Sequence, residues 1–258
     1  MYRFVLTIFF ISTLSFLASC KHQNQPSQNF IFPSILDKKY QRNLYEKAVE
    51  LLENKNFEKA SRKFYLFSKE LPFNDVARKA LLMSAFAKYK TKKYLSSASL
   101  GEEYIAQYPN SEDIDYVYYL VGMSYAQKIL NVSYDQHPTQ SMVQYMSEIV
   151  EKYPQSPYFK GAQFYLSIGR NQLAGQEMYV GRYYLKNKEY VSAILRFQLV
   201  IANYFDTEQV EEAMARLVEA YFMLGLVDEA TSMASVIQQK YPKGLWSDYV
   251  SDLVQLNK

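Results

Sequence analysis

An apolar residue followed by proline recurs along this 258-residue chain, at Leu71-Pro72, Tyr108-Pro109, Tyr153-Pro154 and Tyr241-Pro242, with Tyr204-Phe205 in the same register. Each pair closes an amphipathic stretch. Proline has no N–H and cannot continue a helix, so these are helix stops. Twelve residues before Pro72, Phe205 and Pro242 stand Ala60, Ala193 and Ala230, and Phe64 and Phe197 follow the first two by one helical turn. Twelve residues further back lie Ala48 and Gly181. A small residue at that place lets two helices of a hairpin approach closely. Counted this way, units begin near Gln41, Arg78, Asp115, Ala174 and Glu211, at spacings of 37, 37, 59 and 37. A unit of this length cannot bury its own apolar face and must stack on its neighbours. The long third interval holds Lys128 to Pro138, read as an extended hairpin loop, and a helix-like segment from Tyr158 to about Leu173. With only eight Gly and eight Pro, the chain lacks the turn residues of a β-sandwich.

The second-helix pattern, small then large four on then proline, resembles the tetratricopeptide repeat. Tyr118, Val121, Gly122 and Tyr125 are similar to that family's first-helix phrase; Ala85 occupies the small position in the second unit, and Val218 in the fifth is a departure that implies looser packing. The expected fold is all-α, a tetratricopeptide-type solenoid of about five helix pairs over residues 38–258, with little or no sheet.

The start of the chain has a different character. Met1-Tyr2-Arg3 is basic, and Phe4 to Leu17 is a 14-residue apolar stretch broken only by Thr and Ser. That is short for a membrane span, which needs about 20 residues, and suits a signal-peptide core. Leu17-Ala18-Ser19-Cys20 resembles the bacterial lipobox, with cleavage before an acylated cysteine, and Cys20 is the only cysteine. Residues 1–19 read as signal peptide and 20–37 as a lipidated tether, polar and unpatterned from Lys21 to Pro33. Lys21, where the lipoprotein family's inner-membrane retention rule has Asp, implies the outer membrane. His22-Gln23-Asn24-Gln25 carries no acid, which favours the periplasmic face.

Composition excludes several functions. The formal charge is +3, from 29 basic and 26 acidic residues, without the basic excess of a nucleic-acid binder. The basic run Lys88, Lys90, Lys92 and Lys93 falls at a helix end, where cations complement the helix dipole. The two histidines, His22 in the tether and His137 read as a loop residue, cannot form a typical zinc site without a second cysteine. No phosphate loop or nucleophile elbow appears. Adjacent acids such as Glu102-Glu103 point about 100° apart on a helix. The chain reads as a non-enzyme, with no metal or cofactor.

In the tetratricopeptide family, positions 2, 5, 9 and 12 of each unit face the concave groove. By that resemblance Tyr45 in the first unit, Leu82, Phe86 and Tyr89 in the second, and Tyr116, Tyr119 and Met123 in the third form an aromatic groove. The chain as a whole resembles the BamD family of lipoproteins from the outer-membrane β-barrel assembly machine. Ile114 to Gly122, Asp135-Gln136-His137-Pro138 leading to Tyr153-Pro154-Gln155-Ser156, and Tyr179 to Asp206 carry the resemblance, which spans about Lys38 to Lys258. Phe205, where that family usually has proline, departs from it. The resemblance implies a lipid-anchored scaffold whose C-terminal half binds the periplasmic domains of the insertase BamA, with Arg196 at the contact. It implies an N-terminal half that meets unfolded outer-membrane proteins or other assembly lipoproteins. A periplasmic scaffold of cell-wall or division machinery, or a small glycan-binding lipoprotein of the SusD type, are the alternatives. The latter chains are longer and carry inserts for the sugar.

Overall fold

The structure, a computed structural model, describes residues 38–70 and 74–257. The signal peptide, Cys20, the tether and the Leu71-Pro72 stop lie outside the described residues. Eleven helices and no strand occur among the described residues: α1 (Lys38–Glu53), α2 (Phe57–Glu70), α3 (Asp75–Lys90), α4 (Tyr94–Gln107), α5 (Ile114–Ala126), α6 (His137–Lys152), α7 (Phe159–Lys186), α8 (Tyr190–Asn203), α9 (Val210–Met223), α10 (Val227–Lys240) and α11 (Leu245–Leu256). None is long and apolar enough to cross a membrane. The first ten form five hairpins, as the spacing predicts. The eleventh, which no repeat count anticipates, packs on α9 and α10 and covers the last unit.

The four described stops share one backbone form. Tyr108, Tyr153, Tyr204 and Tyr241 leave the helix with φ between −134 and −125, each donating its N–H to the carbonyl four residues back. A second bond returns from the residue three on: Ser111, Ser156, Thr207 and Gly244 donate to the four tyrosine carbonyls at 2.9–3.2 Å. The stop at Tyr204-Phe205 therefore forms without proline. Its turn is held by α7 instead: Arg170 grips both oxygens of Asp206 at 2.6–3.0 Å and donates to the Asn203 carbonyl at 2.8 Å.

Within hairpins the turns are equally regular. Lys55, Lys92, Lys188 and Gly225 adopt positive φ of 57 to 75°. Around each, two bonds cross the helix end, as from Lys93 N–H to the Lys88 carbonyl (3.0 Å) and Lys92 N–H to the Tyr89 carbonyl (2.9 Å). This is the Schellman arrangement, which satisfies the last carbonyls of the first helix.

The third interval departs from the sequence reading in two ways. The segment from Tyr158 to Leu173 is not a separate helix. It is the first half of α7, whose 28 residues extend about 42 Å at 1.5 Å each. Nothing between Leu173 and Ala174 breaks the ladder, since neither Pro nor a cap residue intervenes. Gly169 lies under Met142 and Val143 of α6, and Gly181 lies under Phe197 of α8. One helix thus serves two neighbours in succession. His137 is likewise not a loop residue but the first residue of α6, because Pro138 fits the first helical turn. The buried Gln136 organises the loop before it, donating to the carbonyls of Asn131 and Tyr134 at 3.0 Å and accepting from Thr139 Oγ1 at 2.8 Å.

Candidate partner-binding surfaces

The first helices of the second and third units and the start of α7 bring tyrosines together. Tyr89 on α3 meets Tyr94 at the start of α4, ring centroids 5.4 Å apart. On α5, Tyr116 and Tyr119 both reach Tyr158, at 5.3 and 5.1 Å, the latter pair stacked. Tyr165 on α7 packs against the core that Tyr119 also borders, and its phenol helps raise the pKa of both Tyr89 and Tyr119. Helical spacing explains the convergence: residues three and four apart share a face. Burial, then the neighbouring phenols of Tyr158 and Tyr89, push Tyr116 up to about 12. Burial followed by Tyr94, Tyr165 and Tyr119 raises Tyr89, and burial with Tyr165 and Tyr158 raises Tyr119. These groups are therefore neutral hydrogen-bond donors at physiological pH, set among ring faces. Such a surface can stack on an aromatic residue and donate to a carboxylate.

The residues expected in a groove divide. Tyr89, Tyr116 and Tyr119 join the tyrosine cluster. Phe86 is half-buried beside them, with the Lys90 ammonium 5.4 Å from its ring. Leu82 is a core residue, not a groove residue: it packs with Leu81, Ala85 and Ala98 and is 8% exposed. Tyr45 belongs to a different cluster, edge-on to Phe64 and Phe67 at 5.7 and 5.2 Å. Met123 packs against the core of Met142, Met146 and Ile149. Sequence reasoning misses Tyr94, Tyr158 and Tyr165. The repeat register places Tyr94 on a second helix, and it gives no position to the inserted half of α7.

Arg196, on α8, points away from its buried neighbour Phe197, as its place in the sequence suggests. It is not free, however. Its Nη1 donates to Glu177 Oε2 of α7 at 2.8 Å, within the hairpin, and that bond raises its pKa. The Arg196 side chain is still 40% exposed. It borders a depression of about 300 Å³ with Tyr184, Ser192, Leu195 and Leu199.

Paired helices stacked in register, with aromatic and partly exposed basic side chains on their faces, define a helical-repeat protein of the tetratricopeptide class. The family described as YfiO, outer membrane lipoprotein, matches residues 37–248, and the chain belongs to this family, that of the BamD assembly factors. The outer membrane protein assembly factor BamD of Rickettsia prowazekii (strain Madrid E) is 35% identical over 212 residues, covering 82% of this chain and 84% of the relative. That of Caulobacter vibrioides is 32% identical over 203 residues, 79% of this chain and 67% of the relative. Among solved structures, a thermophilic TPR protein of Thermus thermophilus covers 84% of the chain and is itself 99% covered, at 17% identity and a TM-score of 0.36.

Proposed function

We propose that the chain is an outer-membrane lipoprotein, anchored through Cys20 on the periplasmic face, that acts as a non-catalytic scaffold in the assembly of outer-membrane β-barrels. The family match over residues 37–248 supports the assembly role, and the lipobox-like Leu17-Ala18-Ser19-Cys20 supports the anchor. The N-terminal half offers the tyrosine cluster to unfolded outer-membrane proteins. An extended peptide ending in an aromatic residue would stack its ring there and place its carboxylate among phenol hydroxyls. The C-terminal half, from Ala174 onward, meets the periplasmic domains of a BamA-like insertase, with Arg196 at the contact. Arginine suits this role because its fork can bind a carboxylate through two charge-assisted bonds. Other assembly lipoproteins are further partners. No cofactor or nucleic acid takes part.

Affinity purification of the full-length protein from membranes tests the reading. BamA is expected to co-purify, and Cys20→Ala is expected to remove the protein from the outer-membrane fraction. Phe86→Ala with Tyr119→Ala should weaken binding of a C-terminal outer-membrane-protein peptide in a protein that still folds. Recovery of peptidoglycan enzymes in place of BamA would overturn the assembly role.

A further inference from the structure

The first helices of the third and fifth units fill the space between successive second helices with a side chain of their own. Two residues four apart do this: Val121 and Tyr125 in the third unit, Leu217 and Tyr221 in the fifth. Val121 and Leu217 are buried beneath, and each tyrosine stands above. Tyr125 donates to Glu102 Oε1 of α4 at 2.8 Å and stacks on Tyr145 of α6, ring centroids 6.1 Å apart. Tyr221 accepts from Gln198 Nε2 of α8 at 3.1 Å and packs on the cluster that Met233 of α10 also borders.

The second unit departs at both positions, with Ser84 and Lys88. Ser84 is fully buried and meets the Ser61 hydroxyl of α2 at 3.0 Å. The corresponding pairs elsewhere, Ala98 with Val121 and Ile194 with Leu217, are apolar. Lys88 turns to Glu58 Oε1 at 3.1 Å. No ring among the described residues takes the place of Tyr125 and Tyr221, and a cavity of about 490 Å³ opens there, lined by residues of α2, α3 and α4. Ser61 and Ser84 form its floor, and Tyr65 and Leu100 line it where Glu102 and Tyr145 flank Tyr125. Its volume falls in the range of about 300–1,000 Å³ common to ligand clefts. Ser84 and Lys88 are each two residues from Phe86, so they turn away from the side of α3 that carries it.

The mouth of the cavity is cationic. Lys88, Lys93 and Arg62 converge on Glu58 Oε1 at 3.1, 3.1 and 3.6 Å, three positive charges against one negative. One turn beyond Tyr65, Lys69 and Glu103 neutralise each other at 2.6 Å, so the excess stays at the Lys88 end.

We propose that this cavity receives a tyrosine side chain of a partner protein, with an acidic residue beside it in the partner's sequence. The ring takes the place that Tyr125 and Tyr221 hold in their own interfaces. The carboxylate meets the excess charge of Lys88, Lys93 and Arg62 through charge-assisted bonds. The floor selects a phenol over an acyl chain. In the hydroxyl pair Ser84 donates to the Ser61 carbonyl at 2.9 Å, which leaves lone pairs that a phenol can satisfy and a hydrocarbon cannot. This surface is separate from the tyrosine cluster and from Arg196, and the inference does not rest on the partners proposed for either.

The probe is the peptide acetyl-Gly-Tyr-Glu-Gly-amide, titrated calorimetrically into the full-length protein. Replacing the peptide's tyrosine by alanine, or its glutamate by lysine, should each weaken binding by about tenfold. Lys88→Tyr supplies the ring from within, so binding should fall by about tenfold while the melting temperature holds or rises. Ser84→Leu, which copies the fifth unit, should act in the same way from the floor. Arg62→Glu alters a side chain that is 68% exposed and does not threaten the fold; it should weaken binding by about threefold or more. Undiminished binding in Lys88→Tyr or in Arg62→Glu would overturn the proposal. So would equal binding of the alanine peptide, or no binding by the unmodified protein at millimolar peptide.

Discussion

A Cβ on Gly181 of α7 would lie 2.5 Å from Cε1 of Phe197 on α8, closer than side chains approach in folded proteins. The fourth hairpin closes because that atom is absent. Gly181→Ala should therefore destabilise the protein despite alanine's better helix propensity. Overpacking costs about 1–3 kcal/mol, and the propensity gain offsets about 1 kcal/mol of it. Denaturant unfolding would measure this. In a Phe197→Leu background the collision is relieved, so the same substitution should become neutral or stabilising. Equal loss in both backgrounds would remove the contact as the cause.

Lys55, Lys92 and Lys188 hold the left-handed turn that Gly225 holds in the fifth hairpin. An L-residue with a side chain pays roughly 1–2 kcal/mol in that region, partly offset by glycine's greater freedom in the unfolded chain. Lys188→Gly is expected to raise stability by about 0.5–1 kcal/mol. Gly225→Ala is expected to lower it by a similar amount. Thermal denaturation of the pair checks the sign of each.

Alkaline pH should unfold the protein through its tyrosines. Burial pushes Tyr116 up to about 12, and burial together with the bond to Glu102 does the same for Tyr125, against an ordinary value of 10.0. A raised folded-state value means that the neutral phenol is the form the fold favours. Stability from these groups is complete below pH 10 and is lost as pH rises from 10 to about 12. Tyr116→Phe should flatten part of that decline. An unaltered stability profile in the variant would exclude Tyr116 as a contributor.

The hairpins were legible because their determinants are local. Ala60, Ala193 and Ala230 stand at a fixed distance from the stops, and each is fully buried where the helices meet. The stop at Phe205 keeps its form without proline, since the backbone bonds of Tyr204 and Thr207 need none and Arg170 holds the turn from α7. What the sequence concealed is relational. The continuity of α7 could not be read because the insertion ends where a repeat begins, with no cap between Leu173 and Ala174. The tyrosine cluster was half visible: Tyr89, Tyr116 and Tyr119 follow the repeat register, whereas Tyr158 and Tyr165 arrive on inserted chain. Leu82 shows the limit of register alone, since a position that faces the groove in an average repeat belongs here to the buried core.

Arg196 has two roles to separate, its bond to Glu177 and its contact with a partner. Charge reversal alone confounds them. In Arg196→Glu a carboxylate would stand where the guanidinium now meets Glu177 Oε2 at 2.8 Å, so repulsion accompanies the lost bond. The pair is partly exposed, and such pairs contribute about 0.2–1 kcal/mol after screening. Arg196→Glu should therefore lower stability by about 1 kcal/mol as well as weaken insertase binding. The exchange Arg196→Glu with Glu177→Arg restores an ion pair of opposite sense across the same two helices. Stability should return toward that of the unmodified protein. Binding should not, because the position that faced the partner's carboxylate now carries a negative charge. A double variant that recovers both stability and BamA binding would assign Arg196 to the hairpin alone, and the insertase contact would have to be sought elsewhere on the C-terminal units.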